Sequence, residues 1–210
     1  MNGRLYRGII TGLNEAMVVD RATHDRLIAE HPSSVDVLKP FLRGRDVKRW
    51  RVQFADQYLI KIESSENKRH PWTGESRDDA ERTFATAYPA IYQHLRPYRD
   101  ALIHRDDQGR FFWELRSCAF WSEFAESKIV IPAIVQHVEY AADFEGFITN
   151  DKTSFCITGW VHYLLGVLNS KVLWWYIRQT AASRQGGFYE FKPMYVSTAT
   201  DCANRQPKAD

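Results

Sequence analysis

The segment from Lys39 to Arg51 combines charges and a planar ring that could hold a nucleic acid. It carries six basic side chains against one acid in thirteen residues, with Trp50 near its end. Lysine and arginine neutralise phosphates, and an aromatic ring can stack on a base. Because the whole chain has a formal charge of only +2, this excess is local. The segment predicts a phosphate-binding surface; a solvated basic helix end without a partner is the alternative.

Two further parts of the chain combine guanidinium groups with aromatic rings. Arg116 lies between Trp113 and Trp121, and a glycine-containing segment carries Arg184 and Tyr189. Arginine can pair bidentately with guanine, whereas lysine mainly neutralises phosphate. We predict that the three basic loops converge on one face. The alternative is that the arginines are ordinary surface residues and the tryptophans belong to the core, as we expect for Trp174 and Trp175.

A catalytic alternative rests on Asp107, Glu126 and Lys128, which loosely match the Asp…Glu-x-Lys pattern of metal-dependent nucleases. In such a site the acids hold Mg²⁺ and the metal activates water. However, Glu-x-Lys is a common triplet and Asp107 lies in a polar stretch, so a surface ion pair is the competing interpretation.

Other catalytic motifs are missing from the sequence. It has no Gly-x-Ser-x-Gly turn, no Gly-x-x-x-x-Gly-Lys loop and no Gly-x-Gly-x-x-Gly fingerprint. The three cysteines are far apart and the histidines are scattered, which predicts neither a metal site nor a disulfide framework. We therefore expect no enzyme activity from this chain alone.

The composition is that of an ordinary globular protein, with 44% hydrophobic and 26% charged residues. The longest apolar stretch, around residues 172–177, is too short to cross a bilayer, and the first residues lead into no apolar signal core. Unpaired cysteines are typical of a reducing compartment. These features predict a cytoplasmic protein without a membrane partner.

The hydrophobic pattern predicts an α+β fold with a twisted, mostly antiparallel sheet and helices packed on one side. We expect a single domain over residues 1–196, with a polar loop or excursion at 64–82 and a disordered polar tail at 197–210. The clearest helix runs from Val161 to about Thr180, because apolar residues recur there at helical spacing. Further helices are predicted at 20–30 and 89–102, and strands at 5–10, 16–19, 111–115, 129–135, 141–149 and 153–158. Residues 52–62 are predicted to form two strands on either side of Ala55-Asp56.

Six short blocks, in order along nearly the whole chain, resemble the TaqI-like C-terminal specificity domain. They begin at Arg7-Gly8-Ile9-Ile10-Thr11-Gly12-Leu13-Asn14-Glu15-Ala16 and Leu38-Lys39-Pro40-Phe41-Leu42-Arg43-Gly44-Arg45-Asp46. The others are Trp113-Glu114-Leu115-Arg116, Lys128-Ile129-Val130-Ile131-Pro132, Leu168-Asn169-Ser170 and Gly186-Gly187-Phe188-Tyr189.

The resemblance implies the target-recognition domain of an adenine-N6 DNA methyltransferase or a single-chain restriction–modification enzyme. In that family the domain follows a catalytic domain that uses S-adenosylmethionine and an Asn-Pro-Pro-Tyr/Phe motif. This sequence has neither an Asn-Pro-Pro segment nor a glycine-rich cofactor loop. The resemblance thus assigns methyl transfer to a parent or partner polypeptide, and no cofactor to this chain. Family members usually continue into an apolar segment at this point, whereas residues 198–210 of this chain are polar. We therefore expect the chain to be truncated relative to the family.

The expected partner is double-stranded DNA, together with a methyltransferase catalytic domain or subunit. A protein-interaction scaffold that docks such a subunit without touching DNA remains the other alternative. The predicted DNA-binding residues are Thr11, Asn14, Arg43, Arg45, Lys48, Arg49, Trp50, Arg116, Arg184, Tyr189 and Lys192.

Overall fold

A computed structural model describes residues 4–190 of the chain. The described strands are β1 (Arg4–Arg7), β2 (Val18–Asp20), β3 (Leu38–Leu42), β4 (Val47–Lys48), β5 (Arg51–Val52), β6 (Gln57–Ile60), β7 (Lys128–Pro132), β8 (Ile134–Val135), β9 (Ala141–Asp143), β10 (Ile148–Thr149), β11 (Thr153–Ile157), β12 (Ala182–Arg184) and β13 (Phe188–Glu190). The described α-helices are α1 (Asn14–Met17), α2 (Arg21–Glu30), α3 (Ser34–Val37), α4 (Arg77–Ala87), α5 (Pro89–Leu95), α6 (Arg99–Ile103), α7 (Val161–Leu168) and α8 (Lys171–Thr180). Short 3-10 helices occupy Gly44–Asp46, Arg96–Tyr98 and Trp121–Ala125.

The chain divides into two compact units. The strand-rich unit contains residues 4–9, 42–55 and 122–190, and the helix-rich unit contains residues 10–41 and 56–121. The predicted α+β class and the mostly antiparallel pairing are confirmed. The strands form several sheets, where the sequence suggested one.

The strand-rich unit is organised around β7, the second of the two central strands in the antiparallel order β1-β11-β7-β9. All five β7 residues are buried, as expected for a strand with neighbours on both edges and elements on both faces. The strand ends at Pro132, which cannot donate a ladder hydrogen bond, and β8 starts two residues later.

The two faces of β7 are covered by different elements, because alternate side chains point to opposite faces. Ile129 and Ile131 belong to the apolar cluster formed with α7 and α8. Val130 belongs to a second cluster with Val47, Ala141 and Val52, which places the β4–β5 hairpin on the other face. The helices of this unit therefore cover one side of its sheet, and a basic hairpin lies on the opposite side.

The long helix predicted for residues 161–180 is two helices, α7 and α8, separated by Asn169 and Ser170. The Ser170 hydroxyl caps α8 by accepting a hydrogen bond from the Leu173 amide, at 3.1 Å. The break shifts the buried face by one residue, so that Leu173 and Ile177 enter the core. The expected core position of Trp175 is wrong, since this residue is 65% exposed.

On α8, Trp174 is partly buried against the apolar cluster, as the sequence suggested, whereas Val172 is 77% exposed. An uninterrupted helix would have placed Val172 on the same stripe as Leu165 and Leu168. The helix break explains this difference.

The helix-rich unit contains the antiparallel strands β2, β6 and β3, with β6 in the middle. The predicted helix after Asp20 is confirmed as α2. The Asp20 carboxylate caps this helix by accepting a hydrogen bond from the Thr23 amide at 2.8 Å. The predicted helix over 89–102 exists as α5, a 3-10 turn and α6. The residues predicted as a strand at 16–19 split between the end of α1 and the start of β2.

The core of this unit contains stacked aromatic rings. Trp113 lies parallel to Phe84 at 4.8 Å and to Phe111 at 4.9 Å between ring centroids. Trp72 meets Trp113 edge-on and is fully buried, although it belongs to the polar stretch 64–82. That stretch is irregular up to Ser76, where α4 begins with a serine cap.

The strand predicted at 111–115 is wrong: these residues form turns, although all five are buried. Their backbone groups have partners other than a neighbouring strand: the Glu114 amide donates to the Phe111 carbonyl, and the Phe112 carbonyl accepts from Arg105. The Glu114 carboxylate is also buried. It accepts bonds from the Trp72 indole at 2.9 Å, the Ser65 amide at 3.0 Å and the Arg110 amide at 2.9 Å. Within residues 4–190, no helix combines the length and apolar character needed to cross a membrane.

His94 on α5 makes the stability of the helix-rich unit depend on pH. Its Nε2–H donates to the Ala16 carbonyl at 3.2 Å, and burial lowers the pKa of His94 below its ordinary value of 6.5. Below pH 6.5 the unfolded chain therefore takes up a proton that the folded protein binds less readily. We expect the free energy of unfolding to fall as the pH drops through 6.5 towards the folded pKa, with a slope of at most about 1.4 kcal/mol per pH unit.

Urea unfolding between pH 7.5 and 5 would test this expectation. His94→Gln should flatten the pH dependence, whereas His104→Gln, at an exposed position on the same stretch of helices, should leave it unchanged. Identical pH profiles for wild type and His94→Gln would contradict the assignment.

Candidate nucleic-acid interface

The basic segment folds into a hairpin in the strand-rich unit. Strands β4 and β5 pair Val47 with Val52 and Lys48 with Arg51. Val47 is fully buried on the sheet, so the adjacent Lys48 points to the opposite side of its strand. Arg51 is exposed beside it. Alternation along the strands thus turns one face of the hairpin inwards and the charged face outwards.

The two residues at the hairpin tip, Arg49 and Trp50, are tied to the interior of the same unit. The Trp50 amide donates to the Tyr140 carbonyl at 2.9 Å. The same carbonyl accepts a bond from the side-chain amide of Asn169 at 2.9 Å, and the Tyr140 amide donates to that side chain at 3.2 Å. Arg49 Nη2 donates to the Asn169 carbonyl at 2.9 Å. The tip is therefore held in place by hydrogen bonds to two fully buried residues, Tyr140 and Asn169.

Trp50 has an unusual backbone conformation, with φ of 74°. Positive φ at the second position of a two-residue turn suits glycine, and a side chain with a Cβ costs about 1–2 kcal/mol there. The residue is nevertheless 50% exposed, and the Arg49 guanidinium lies 5.4 Å from the centroid of its ring.

The arginines of the preceding turn differ in their surroundings. Arg43 forms a bidentate pair with Asp46, at 3.0 Å from Nε and 2.9 Å from Nη2, and Asp46 is buried. This pair closes the 3-10 turn, so Arg43 has a structural role whether or not it also contacts DNA. Arg45 is exposed at the centre of the turn. Within residues 4–190, Arg45, Lys48 and Arg51 have no ion-pair partner.

Arg51 was not among the predicted site residues. The signal that could have identified it is the hairpin register: a two-residue turn after Lys48 places Arg51 directly across from it.

The predicted loop around Arg184 and Tyr189 is the hairpin β12–β13, which turns at Gly186 and Gly187 with positive φ at both. Arg184 on β12 forms an ion pair with Glu190 on β13. The Tyr189 ring meets Trp174 edge-on at 5.3 Å. Lys192 lies outside the described residues. Since Trp174 is in the first turn of α8 and Arg49 binds the carbonyl just before that helix, the structure attaches both hairpins to the start of α8.

The remaining predicted residues lie in the helix-rich unit. Thr11 is buried, and its hydroxyl donates to the Asn14 side chain at 2.6 Å, while Asn14 is exposed. Arg116 is exposed and pairs with Asp107 at 3.1 Å. A Cβ on Gly12 would lie 2.7 Å from the Asp107 carbonyl oxygen. The turn 11–14 and Arg116 are thus neighbours within this unit.

Buried Arg105 holds this arrangement together. Its guanidinium donates to the backbone carbonyls of Thr11, Phe112 and Glu114. Burial lowers the pKa of Arg105 to about 10, which leaves it charged at neutral pH. No sequence signal identifies this residue, because its partners are carbonyl groups that any residue type provides.

Comparison with known proteins places residues 39–198, well over half of the chain, in the family of the TaqI-like C-terminal specificity domain. The chain belongs to this family. The matched residues include the β4–β5 hairpin and its anchor Asn169. The resemblance expected from the six sequence blocks is confirmed.

The specificity domain also shares its fold with part of a solved restriction–modification enzyme. The Type IIL enzyme MmeI, solved in complex with DNA, aligns with a TM-score of 0.61 and 12% identity over 91% of this chain. The alignment covers 24% of the MmeI chain, so this chain spans about a quarter of that enzyme's length. A search of curated proteins gave no match.

In the specificity domain, Lys128 has a role that differs from the nuclease hypothesis. Its ammonium group is fully buried, lies 2.6 Å from Asp143 and also donates to the Phe124 carbonyl. Burial lowers the pKa of Lys128, and the Asp143 charge opposes this shift. A buried, ion-paired lysine cannot reach a scissile phosphate, which argues against the Asp107, Glu126 and Lys128 site.

Asp143 itself accepts hydrogen bonds from the amides of Glu145, Gly146 and Phe147, and so holds the turn after β9. Among residues 4–190, no group of three or more His, Cys, Asp or Glu side chains could hold a metal ion.

We expect Asp143→Asn to destabilise the protein by about 3–5 kcal/mol, because it leaves a buried ammonium group without its counter-charge. Chemical denaturation would measure the loss. Replacing both partners, as Lys128→Met/Asp143→Asn, should restore much of the stability, because no buried charge remains and an asparagine oxygen still accepts hydrogen bonds from the turn amides.

Asp151→Asn is the matched control in the same unit. Asp151 pairs with Arg7 at 3.6 Å, and the arginine side chain is 62% exposed. Loss of such a surface pair should cost less than about 1 kcal/mol. Equal losses of stability for Asp143→Asn and Asp151→Asn would contradict a special stabilising role for the buried Lys128–Asp143 pair.

Proposed function

We propose that this chain recognises a specific sequence in double-stranded DNA, as the target-recognition domain of an adenine-specific DNA methyltransferase or restriction–modification enzyme. The observation that carries the proposal is the outward face of the β4–β5 hairpin. Lys48 and Arg51 lie there, and Arg45 is exposed in the 3-10 turn just before β4. All three are exposed or half-buried, have no ion-pair partner within residues 4–190, and lie inside the region that matches the specificity-domain family.

Lys48 and Arg51 suit contacts to the phosphate backbone. They are cross-strand neighbours on a hairpin whose inner face is packed on the sheet. Releasing counterions from the phosphates would supply sequence-independent binding energy, and such contacts fix the register of the protein on the duplex. The other predicted contacts, Arg49, Arg184 and Tyr189 in this unit and Asn14 and Arg116 in the other, belong to the same proposal.

Arg45 suits a base contact. It lies at the centre of a 3-10 turn that the Arg43–Asp46 pair holds closed. A guanidinium group on a fixed turn can make a bidentate pair with the major-groove edge of guanine.

Methyl transfer would be the work of a catalytic domain or subunit that uses S-adenosylmethionine and lies outside these 210 residues. This chain would provide binding free energy and orientation. Moving a base out of the duplex costs a few kcal/mol, and a domain that holds the DNA could offset that cost. The proposal includes a cytoplasmic location, the compartment that the unpaired cysteines favour.

A scaffold function is the second candidate, and one observation favours it. Val172, Trp175 and Tyr176 form an exposed apolar face on α8. Such a face could dock a methyltransferase subunit. Co-purification with that subunit, combined with no measurable duplex binding, would support the scaffold over the DNA-binding proposal.

The phosphate contacts predict a specific salt dependence. Lys48→Gln/Arg51→Gln should bind a random-sequence duplex more weakly, and the slope of log affinity against log salt should become shallower by about 0.9 for each phosphate that the variant no longer neutralises. Fluorescence anisotropy from about 50 to 200 mM salt would measure both.

Arg77→Gln/Arg96→Gln is the matched control, because it removes the same charge from exposed positions of the helix-rich unit. If both double variants have the wild-type slope, the hairpin does not bind phosphates. If the wild type shows no duplex binding even at low salt, the DNA-binding proposal fails.

The base contact predicts a separate effect for Arg45→Lys, which keeps the charge but loses the bidentate geometry. We expect an unchanged salt slope and a loss of about 1–3 kcal/mol of discrimination at one base pair. Selection from a randomised duplex library would show that position. Unchanged sequence preference would assign Arg45 to the backbone.

A further inference from the structure

Trp50 stands where the backbone favours glycine. It is the second residue of the two-residue β4–β5 turn and has φ of 74°. Among residues 4–190, only Trp50 and Asp56 combine a side chain with positive φ. Backbone conformations of this kind are concentrated at binding sites, where the surrounding structure enforces them.

The fold does not need the Trp50 ring for its core. Trp72 and Trp113 are fully buried, whereas Trp50 is 50% exposed. The guanidinium of Arg49 lies over the ring, 5.4 Å from its centroid. That guanidinium is itself fixed by its bond to the Asn169 carbonyl.

The tip that carries the ring is rigidly anchored. The Trp50 amide and the Asn169 side chain share the Tyr140 carbonyl as acceptor, each at 2.9 Å. The ring thus projects from a fixed backbone between Lys48 and Arg51, which lie across from each other on either side of the turn. Cations suited to two phosphates therefore flank an exposed aromatic ring.

We propose that Trp50 is a wedge that stacks on an unstacked base of the bound duplex. This inference rests on the proposed DNA-binding function and names the DNA feature that the hairpin tip recognises. Every base has a π-face, so stacking depends little on sequence. A ring that enters a base step compensates for part of the base stacking that disappears when the step opens.

A wedge of this kind predicts that the protein prefers DNA in which a step is already open. Two duplexes identical except for one abasic site, each with 2-aminopurine beside that position, are the probes. We expect wild type to bind the abasic duplex about tenfold more tightly at fixed salt, in the range of one base–aromatic stacking interaction. Binding to the intact duplex should change the 2-aminopurine fluorescence, because the indole ring replaces a neighbouring base as its stacking partner.

Trp50→Gly separates stacking from folding. Glycine fits the backbone at φ of 74° but removes the ring. We expect this variant to keep the wild-type salt slope and a Tm equal to or above that of wild type, while it loses both the tenfold preference and the fluorescence change. Trp50→Phe, which keeps a ring, should retain most of the preference.

Each contrary result has a distinct meaning. Trp50→Gly with the full preference for the abasic duplex would overturn the wedge while leaving DNA binding intact. A lower Tm for Trp50→Gly, together with no better discrimination by Trp50→Phe, would assign the ring to stability and also overturn it. No binding of wild type to either duplex would instead refute the proposed function on which the wedge rests.

Discussion

The strand-rich unit depends on one buried amide, the side chain of Asn169. It bonds both backbone polar atoms of Tyr140, at the point where α7 ends and α8 has not begun. The backbone carbonyl of Asn169 accepts a hydrogen bond from Arg49. The Tyr140 carbonyl accepts a second hydrogen bond, from the Trp50 amide. A buried amide that loses such partners costs far more than an exposed one. The same few bonds therefore fix the helix break, the strand entering β9 and the hairpin tip.

The charged side chains of the chain fall into two groups with different functions. Lys128, Arg105 and Arg43 point to internal partners, namely Asp143, backbone carbonyls and Asp46. Such groups hold loops in defined positions, because a buried charge tolerates few alternative arrangements. The second group consists of Lys48 and Arg51 on the hairpin and Arg45 in the turn before it. These side chains have no ion-pair partner within residues 4–190 and are available to a ligand. Net charge cannot separate the two groups, since both contribute to the same small total.

The location of the hairpin follows from the two-sided sheet. Strand β7 sends Ile129 and Ile131 towards the helices and Val130 towards β4 and β5. On its own side the hairpin contributes Val47 and Val52 to the apolar cluster, and its tip is held by hydrogen bonds to Tyr140 and Asn169. Its remaining positions are available for polar side chains. A small apolar contact on one face thus permits a concentrated basic surface on the other, and anchoring the tip limits the entropy cost of binding.

The sequence by itself determined the class of fold, the family and the basic segment, because these depend on local periodicity, caps and short blocks of residues. Asp20 as a cap and the strands at 129–135 and 153–158 were predictable in this way. Tertiary structure decided the rest. The break at Asn169, the turns at 111–115 and the burial of Lys128 all depend on hydrogen-bond partners far away in sequence, such as Tyr140, Trp72 and Asp143. Buried polar groups must find a partner wherever the fold supplies one. A local pattern therefore identifies which side chains carry charge, and only the folded chain decides which of them remain free.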